Sequence, residues 1–328
     1  MHYRPLGKTG FSVSEISLGT WQVGGKWGEP FRDATADAIL DAAVDAGVNF
    51  IDTADVYGEG ASEAAVGRLA RRRSERIFVA TKCGRRLQPH TAEAYQPAAL
   101  RRFVEDSLRN TGLDTLDLVQ LHCPPTEVFY RPEIFELFDK LREEGKVQHL
   151  GASVEKVEEG LKAFEYPNIA TVQVIFNMFR QRPAELLFKE AQLRGVGLIV
   201  RVPLASGLLT GKFGPQTAFA PDDHRNFNRD GAVFDKGETF AGVDYATGLA
   251  AVDELKAVFP GPDALAAAAL RWVLMFDAVS CVIPGASRPE QLASNLHATD
   301  LPALTDEQMT AVRGVYEHRI RPLVHQRW

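Results

Sequence analysis

The chain has 328 residues, of which 45% are hydrophobic and 24% charged, and its formal net charge at pH 7 is −6. The length and composition fit a soluble globular protein with a large core, and the negative charge argues against nucleic acid as a partner. The first ten residues lack the apolar segment of a signal peptide, and no apolar run approaches the roughly 18 residues of a membrane span. Three separated cysteines form no CxxC pair, which indicates a reducing compartment. We therefore expect a cytoplasmic protein without membrane contact.

Eight short β-rich runs alternate with longer amphipathic segments along the chain. The runs comprise residues 15–21, 48–54, 76–83, 116–123, 149–153, 171–177, 197–203 and 279–285. Several of the segments between them begin with proline or a capping residue and end in glycine, as helices do. Because the runs are nearly all apolar and evenly spaced, the pattern predicts one α/β domain over residues 1–328. The predicted fold is a parallel (β/α)8 (TIM) barrel, which we favour over a doubly wound sheet.

Several segments fall outside this repeat. Residues 1–14 carry turn-forming residues and predict an N-terminal hairpin across the bottom of the barrel. Residues 205–242 form a long connection after the seventh strand, which is typical of a lid or a binding loop. We expect an additional helix at residues 243–258, and a C-terminal helix with an extension at residues 304–328.

Candidate reactive residues lie at the carboxyl ends of the strands, where the active sites of such barrels are found. Asp52 follows the second apolar run, Lys82 ends the third and His122 ends the fourth. Tyr57 lies five residues beyond Asp52, on the loop above the same rim. An acid, an ammonium, an imidazole and a phenol are thus predicted to converge, although each residue alone also fits a structural role.

These four side chains can form a proton donor for a carbonyl group. A phenol and a lysine have ordinary pKa values near ~10 and ~10.4, so neither is a poised acid or base alone at neutral pH. We expect the ammonium to lower the pKa of Tyr57, the carboxylate to hold the lysine, and the histidine to orient the carbonyl oxygen. The neighbouring acids Asp55, Glu59 and Glu63 are interpreted as loop or helix-start residues.

The order of the motifs resembles that of the aldo-keto reductase family, in particular its bacterial members with an extended loop. The resemblance rests on LGTW (18–21), AGVNFIDTADVYG (46–58), FVATK (78–82), LDLVQLHCP (116–124), GAS (151–153), PLASGLLTGK (203–212) and IPGASRPEQLASN (283–295). It implies a catalytic tetrad of Asp52, Tyr57, Lys82 and His122. It also implies hydride transfer between a nicotinamide and a small carbonyl compound or alcohol, with Tyr57 as the general acid. The expected substrate pocket is lined by Trp21, Trp27, Tyr57 and His122.

The resemblance further implies bound NADPH or NADP⁺, with NAD possible. The expected cofactor contacts are Gly19, Thr20, Trp21, Asp52, Ser153, Gln173, Arg201, Pro203, Leu204, Ser206, Gly207, Leu209, Gly211, Lys212, Gly285, Ser287, Arg288, Gln291 and Asn295. The chain departs from the family at Val154, where asparagine is usual, and at Arg201, where many members stack an aromatic ring. Gly285 occupies a common lysine position, so Ser287 and Arg288 are left to receive a 2′-phosphate.

Two other functions compete with this one. A nicotinamide-binding assembly role, like that of channel β-subunits, is the alternative, and it would combine tight cofactor binding with little turnover. A metal-dependent hydrolase is disfavoured because His122 has no second strand-end histidine to share a metal with. We therefore expect no metal.

Overall fold

The computed structural model of the chain describes residues 1–25 and 30–328. It begins with an antiparallel hairpin of β1 (Tyr3–Pro5) and β2 (Ser12–Ser14). The eight parallel strands are β3 (Leu18–Gly19), β4 (Phe50–Asp52), β5 (Phe78–Cys83), β6 (Leu116–His122), β7 (Val147–Val154), β8 (Ile169–Ile175), β9 (Gly197–Arg201) and β10 (Val279–Val282). They pair in chain order, and a parallel backbone bridge between Ile16, two residues before β3, and Val282 of β10 closes the barrel. The predicted (β/α)8 barrel is confirmed.

Helices separate the strands and extend beyond them. They are α1 (Asp33–Asp45), α2 (Ala61–Arg72), α3 (Pro97–Thr111), α4 (Pro132–Glu143), α5 (Val157–Ala163), α6 (Leu187–Leu193), α7 (His224–Phe227), α8 (Tyr245–Val258), α9 (Ala264–Leu274), α10 (Pro289–Leu296), α11 (Asp306–Val315) and α12 (Arg321–Val324). Helices α3, α4 and α10 start at proline. Proline is tolerated there because backbone N–H groups in the first turn have no acceptor within the helix, so the N–H that proline lacks is not needed. The expected additional helix is α8, and the expected terminal helix is α11 with its extension. None of the described helices is both long and apolar enough to cross a membrane.

The hairpin covers the amino-terminal end of the barrel, as predicted. Leu6 and Val13 are fully buried in an apolar cluster that includes Phe50, the first residue of β4. The turn between β1 and β2 approaches β9 so closely that a Cβ on Gly7 would lie 2.1 Å from the backbone nitrogen of Gly197. Gly7 also has a φ of +52°, so glycine suits this position for two reasons.

The connection after β9 lies over the opposite end of the barrel. It contains short 3-10 helices at Ala205–Thr210, Lys236–Glu238 and Phe240–Gly242, together with α7. Trp328 holds this connection: its indole N–H donates to Asp235 Oδ1 at 2.9 Å, and its ring lies 4.5 Å from the Arg180 guanidinium. A Cβ on Gly237 would lie 2.9 Å from the Trp328 ring. The C-terminal segment therefore positions the loop above the carboxyl ends of the strands.

Candidate active site

Lys82 and Asp52 form a buried ion pair at the carboxyl rim of the barrel. They lie on the adjacent strands β5 and β4, their side chains are 1% and 3% exposed, and Lys82 Nζ is 2.5 Å from Asp52 Oδ2. Burial by itself would lower the pKa of Lys82, but the charge of Asp52 and the hydrogen bond to it raise the pKa above its ordinary value. Lys82 therefore stays a charged ammonium across the neutral range.

The second carboxylate oxygen of Asp52 is held by two amides. Gln120 on β6 and Gln173 on β8 donate to Asp52 Oδ1 at 3.0 and 2.8 Å. Gln173 is expected from the sequence to contact the cofactor, whereas Gln120 is not identified there at all. Gln120 lies two residues before His122 on β6, and side chains two apart on a strand point to the same face. This spacing could have identified Gln120 from the sequence. With both oxygens occupied, Asp52 has a fixed orientation toward Lys82.

Tyr57 lies beside this pair, at the start of the 3-10 helix Tyr57–Gly60. Lys82 Nζ donates to the phenolic oxygen at 3.3 Å. Burial raises the pKa of Tyr57 above its ordinary value, and the opposing effect of the Lys82 charge is smaller. The expected lowering of the phenol pKa is therefore wrong in its net direction, because desolvation outweighs the ammonium. Tyr57 is a protonated phenol at neutral pH.

His122 completes the group, with its ring edge-on to Tyr57 and 6.0 Å between ring centroids. Burial and the positive charges of Arg85 and Lys82 lower the pKa of His122 well below its ordinary value. Its buried Nδ1 has no hydrogen-bond partner within the described part of the chain. A neutral imidazole has one N–H to donate, so His122 can hydrogen-bond an oxygen without adding a charge.

The other acids of the same stretch lie in different surroundings. Glu59 is exposed, whereas Asp55 and Glu63 are fully buried. Glu63, in the first turn of α2, accepts hydrogen bonds from Thr81 at 2.5 Å and from Asn110 at 2.7 Å. Burial, reinforced by the nearby Glu63, raises the pKa of Asp55 to about 7. The loop and helix-start positions match the sequence interpretation, but the burial of two acids was not foreseen.

A cavity of about 770 Å³ extends from these side chains along the rim. The predicted site residues that line it are Gly19, Thr20, Trp21, Asp52, Tyr57, His122, Ser153, Gln173, Arg201, Pro203, Leu204, Ser206, Gly207, Lys212, Gly285, Arg288, Gln291 and Asn295. Leu209 does not line it but packs in the core, and Gly211 lines a separate pocket. Ser287 also lies outside the lining, and its hydroxyl is 3.0 Å from Gln291 Oε1. Trp27 lies outside the described residues.

One wall of the cavity was not predicted from the sequence. It is formed by Arg85, from the loop after β5, and by Phe234 and Glu238, from the connection after β9. Arg201, where the family often has an aromatic ring, donates a hydrogen bond of 2.8 Å from its Nη2 to Glu155 Oε1. No sequence motif identifies Arg85, Phe234 or Glu238, because the pair of Arg85 with Glu238 joins distant segments.

The site can deliver a proton to an oxygen, but its side chains offer no hydride donor. A protonated phenol, a neutral imidazole and a fixed ammonium beside a cavity of this size are typical of barrel oxidoreductases that bind a hydride-carrying cofactor. The model of the Aldo/keto reductase family matches residues 15–317, and the chain belongs to this family.

Individual relatives match over nearly the whole chain. An uncharacterized oxidoreductase of Bacillus subtilis is 30% identical over 320 residues, which cover 96% of both chains. The NADH-specific methylglyoxal reductase of Escherichia coli is 28% identical over 338 residues, covering 95% of this chain and 98% of that one. The solved structure of a glycerol dehydrogenase from Gluconobacter oxydans is 30% identical, covers 97% of this chain and 96% of that one, and has a TM-score of 0.77. The chain is thus an oxidoreductase of this family.

Proposed function

We propose that the protein reduces aldehydes or ketones to alcohols with NADPH, or catalyses the reverse reaction, with Tyr57 as the general acid or base. The observation that carries this proposal is the contact between Tyr57 and Lys82. A protonated phenol at the cavity surface lies 3.3 Å from an ammonium that Asp52 holds in place. This arrangement gives the phenol both a proton to donate and a charge that stabilises the phenolate left behind.

The shape and chemistry of the cavity suit a dinucleotide. Its lining includes Ser206 and Gly207, which belong to the 3-10 helix Ala205–Thr210 and have φ values of 55° and 98°. Successive backbone N–H groups in such a turn can form a concave site for an anion such as a pyrophosphate. The same lining holds the positive charges of Arg288 and of Lys212, whose Nζ lies 2.9 Å from Asp263 Oδ1. Ser153 and Gln173, at the other end near Asp52, would hold the nicotinamide amide.

The proposed reaction assigns one task to each side chain. A bound nicotinamide would supply the hydride that the protein itself lacks. Tyr57 donates its phenolic proton to the carbonyl oxygen, and Lys82 stabilises the phenolate. His122 donates an N–H to the same oxygen and orients the carbonyl. In alcohol oxidation Tyr57 instead accepts the proton, so its phenolate is the active form.

Two measurements test this function. A fluorescence titration with NADPH measures cofactor binding, and an absorbance assay with sugars, aromatic aldehydes and α-dicarbonyls measures turnover. Because a methylglyoxal reductase and a glycerol dehydrogenase are among the relatives, small oxygen-rich carbonyls and polyols belong in the panel. We expect NADPH oxidation that depends on the carbonyl compound. Tight binding with no turnover for any compound would favour the assembly role instead.

The preference for NADPH over NADH is expected to depend on Arg288. It is exposed at the N-terminus of α10, it lines the cavity, and no acidic side chain of the described residues pairs with it. Gly285 has no side chain, and Ser287 already contacts Gln291. Arg288→Ala should therefore weaken NADPH binding by about 1.5–3 kcal/mol, the usual worth of a hydrogen bond to a charged group, and leave NADH binding nearly unchanged.

Dissociation constants for both cofactors decide this prediction. Arg313→Ala is a matched control, because Arg313 is exposed on α11 and does not line the cavity. Glu290, which also lines the cavity, should repel a 2′-phosphate, so Glu290→Gln is expected to strengthen NADPH binding. Equal losses for NADPH and NADH in Arg288→Ala would mean that Arg288 supports the loop rather than recognising the phosphate.

A further inference from the structure

We propose that the substrate is a carbonyl compound that carries a carboxylate, and that Arg85 is the specificity-determining residue that binds this carboxylate. This inference rests on the proposed function and deepens it. It is carried by four ionisable side chains beside Tyr57 and His122, which we call the charged wall and which comprise Arg85, Glu155, Arg201 and Glu238.

Arginine and glutamate side chains alternate along the charged wall and contact one another. Arg85 Nη1 lies 3.2 Å from Glu238 Oε1, and Arg201 Nη1 lies 3.8 Å from the same oxygen. Arg201 Nη2 also pairs with Glu155 Oε1 at 2.8 Å. The side chains are between 11% and 23% exposed, so water screens these charges only weakly. Arg85, Arg201 and Glu238 line the same cavity as Tyr57 and His122.

The two carboxyl groups of the wall are too close to ionise together readily. One carboxylate oxygen of Glu155, one of Glu238 and the sulfur of Cys123 all lie within 4.8 Å of one another. Two carboxyls that share a desolvated site keep one proton between them, because the second negative charge is strongly disfavoured. Burial, and then the nearby Glu238, raise the pKa of Glu155 to about 8 against the opposing charge of Arg201. Burial alone would raise the pKa of Glu238, but Arg85 and Arg201 lower it to about 2.

At pH 7 the wall therefore holds two guanidinium groups and one carboxylate. The other groups that face it change this balance little. Burial raises the pKa of the Cys123 thiol to about 12 and lowers that of His224 to about 4, so both are neutral, as is His122. Arg180 and Asp235, which also lie near Glu155, carry opposite charges that offset each other. One positive charge remains uncompensated beside the reacting phenol.

A surplus positive charge in a substrate cavity favours an anion. A metal ion is the other ligand that the spacing of Cys123, Glu155 and Glu238 could accommodate. However, the Arg201 guanidinium already contacts Cys123 Sγ at 3.5 Å and Glu155 Oε1 at 2.8 Å, and a cation would add to the surplus. One surplus positive charge is neutralised by a carboxylate, which carries a single negative charge. A phosphate dianion would instead leave a surplus negative charge.

Arg85 is better placed than Arg201 to bind this carboxylate. The Arg201 side chain is 11% exposed, and its Nη2 contacts Cys123, Val154 and Glu155. Arg85 makes one hydrogen bond within the described part of the chain, to Glu238, and its side chain is 23% exposed. Its remaining N–H groups can therefore donate to a carboxylate at the cavity surface, in the forked geometry that suits this group.

Matched aldehydes test the inference. We would measure kcat/KM with NADPH for glyoxylate, succinic semialdehyde and glutaric semialdehyde, each beside its methyl ester. The wild-type enzyme should prefer at least one acid to its ester. Arg85→Gln should lower kcat/KM for that acid by about 10- to 100-fold, the loss expected for one charge-assisted hydrogen bond, and should leave the ester nearly unaffected. Arg85→Lys keeps the charge and should retain part of the preference.

Arg86→Gln is the matched control. Arg86 is the next residue, it is exposed, and it does not line the cavity. The variant removes the same charge, and its preference for the acid should equal that of the wild type. An equal loss in Arg86→Gln and Arg85→Gln would overturn direct binding by Arg85. Equal kcat/KM values for the acids and esters in the wild type would overturn the inference but leave the proposed function intact, since the esters would still be reduced. No turnover with either set would overturn the inference, and no turnover with the sugars, aromatic aldehydes and α-dicarbonyls as well, despite NADPH binding, would overturn both.

The pH dependence separates charge recognition from a structural role. Glu155 is protonated below its pKa of about 8 and negatively charged above it, so the surplus positive charge disappears as the pH rises through about 8. The ratio of kcat/KM for the acid to that for the ester should fall over this range. This ratio cancels the titration of Tyr57, which affects both substrates alike. A ratio that is constant from neutral to alkaline pH in the wild type would contradict the proposed charge balance.

Discussion

Tyr57→Phe is expected to lower kcat for carbonyl reduction by about 10²–10⁴-fold, the usual contribution of a positioned proton donor. The phenyl ring keeps the shape of the site but has no proton to give. Cofactor affinity should change little, because the phenolic oxygen contacts Lys82, whereas the cofactor phosphates are proposed to bind at Ser206, Gly207 and Arg288. Single-turnover and steady-state rates, measured together with the NADPH dissociation constant, test this prediction.

Tyr130→Phe provides the matched control for that experiment. Tyr130 is 65% exposed and does not line the cavity, so the loss of its hydroxyl should leave kcat unchanged. If Tyr57→Phe retained a kcat near that of the wild type, Tyr57 could not be the proton donor. Water or His122 would then be the remaining candidates within the cavity.

Lys82→Met is expected to abolish measurable turnover, and Asp52→Asn should impair it less. Lys82 acts directly on the phenol, whereas Asp52 acts through Lys82. Lys82 opposes the rise in the Tyr57 pKa that burial causes, so its removal should raise this pKa further. In the proposed alcohol oxidation the rate should rise with pH as Tyr57 loses its proton. Any residual rate of Lys82→Met at alkaline pH should show this rising limb shifted to higher pH, and an unchanged profile would refute the coupling.

The same substitution also has a predictable effect on stability. Removing Lys82 leaves the buried Asp52 carboxylate without its counter-ion, and breaking such a pair from one side typically costs about 3–5 kcal/mol. The double variant Lys82→Met/Asp52→Asn removes both charges and should regain much of the lost free energy of unfolding without regaining activity. Denaturant unfolding of the single and double variants measures this. A double variant that regained turnover would show that the charge of Lys82 is not needed for proton transfer.

The central residues of the candidate site could be predicted from the sequence because they lie at the ends of strands. Apolar runs that stop at Asp52, Lys82 and His122 mark three consecutive strands, and parallel strands of a barrel end at one rim. That local pattern, together with the handedness and order of βα units, is enough to bring the three side chains together. Tyr57 follows because a five-residue connection from Asp52 cannot carry it far. The hairpin, the long connection after β9 and the additional helix were likewise readable, since turn residues and helix periodicity are local signals.

Other properties of the site were decided only by the tertiary structure. The net direction of the Tyr57 pKa depends on how much water the whole surrounding protein excludes, and no local pattern reports that sum. The bonds from Gln120 and Gln173 to Asp52 span 68 and 121 residues of chain, and the pair of Arg85 with Glu238 spans 153. Trp328 reaches back 93 residues to Asp235 and so positions the loop that carries Glu238. The sequence by itself thus determined the barrel and the residues at its strand ends, because strands and helices follow from local periodicity. The charge and the pKa values of the cavity were determined by the tertiary structure, because they arise from long-range pairs and from burial.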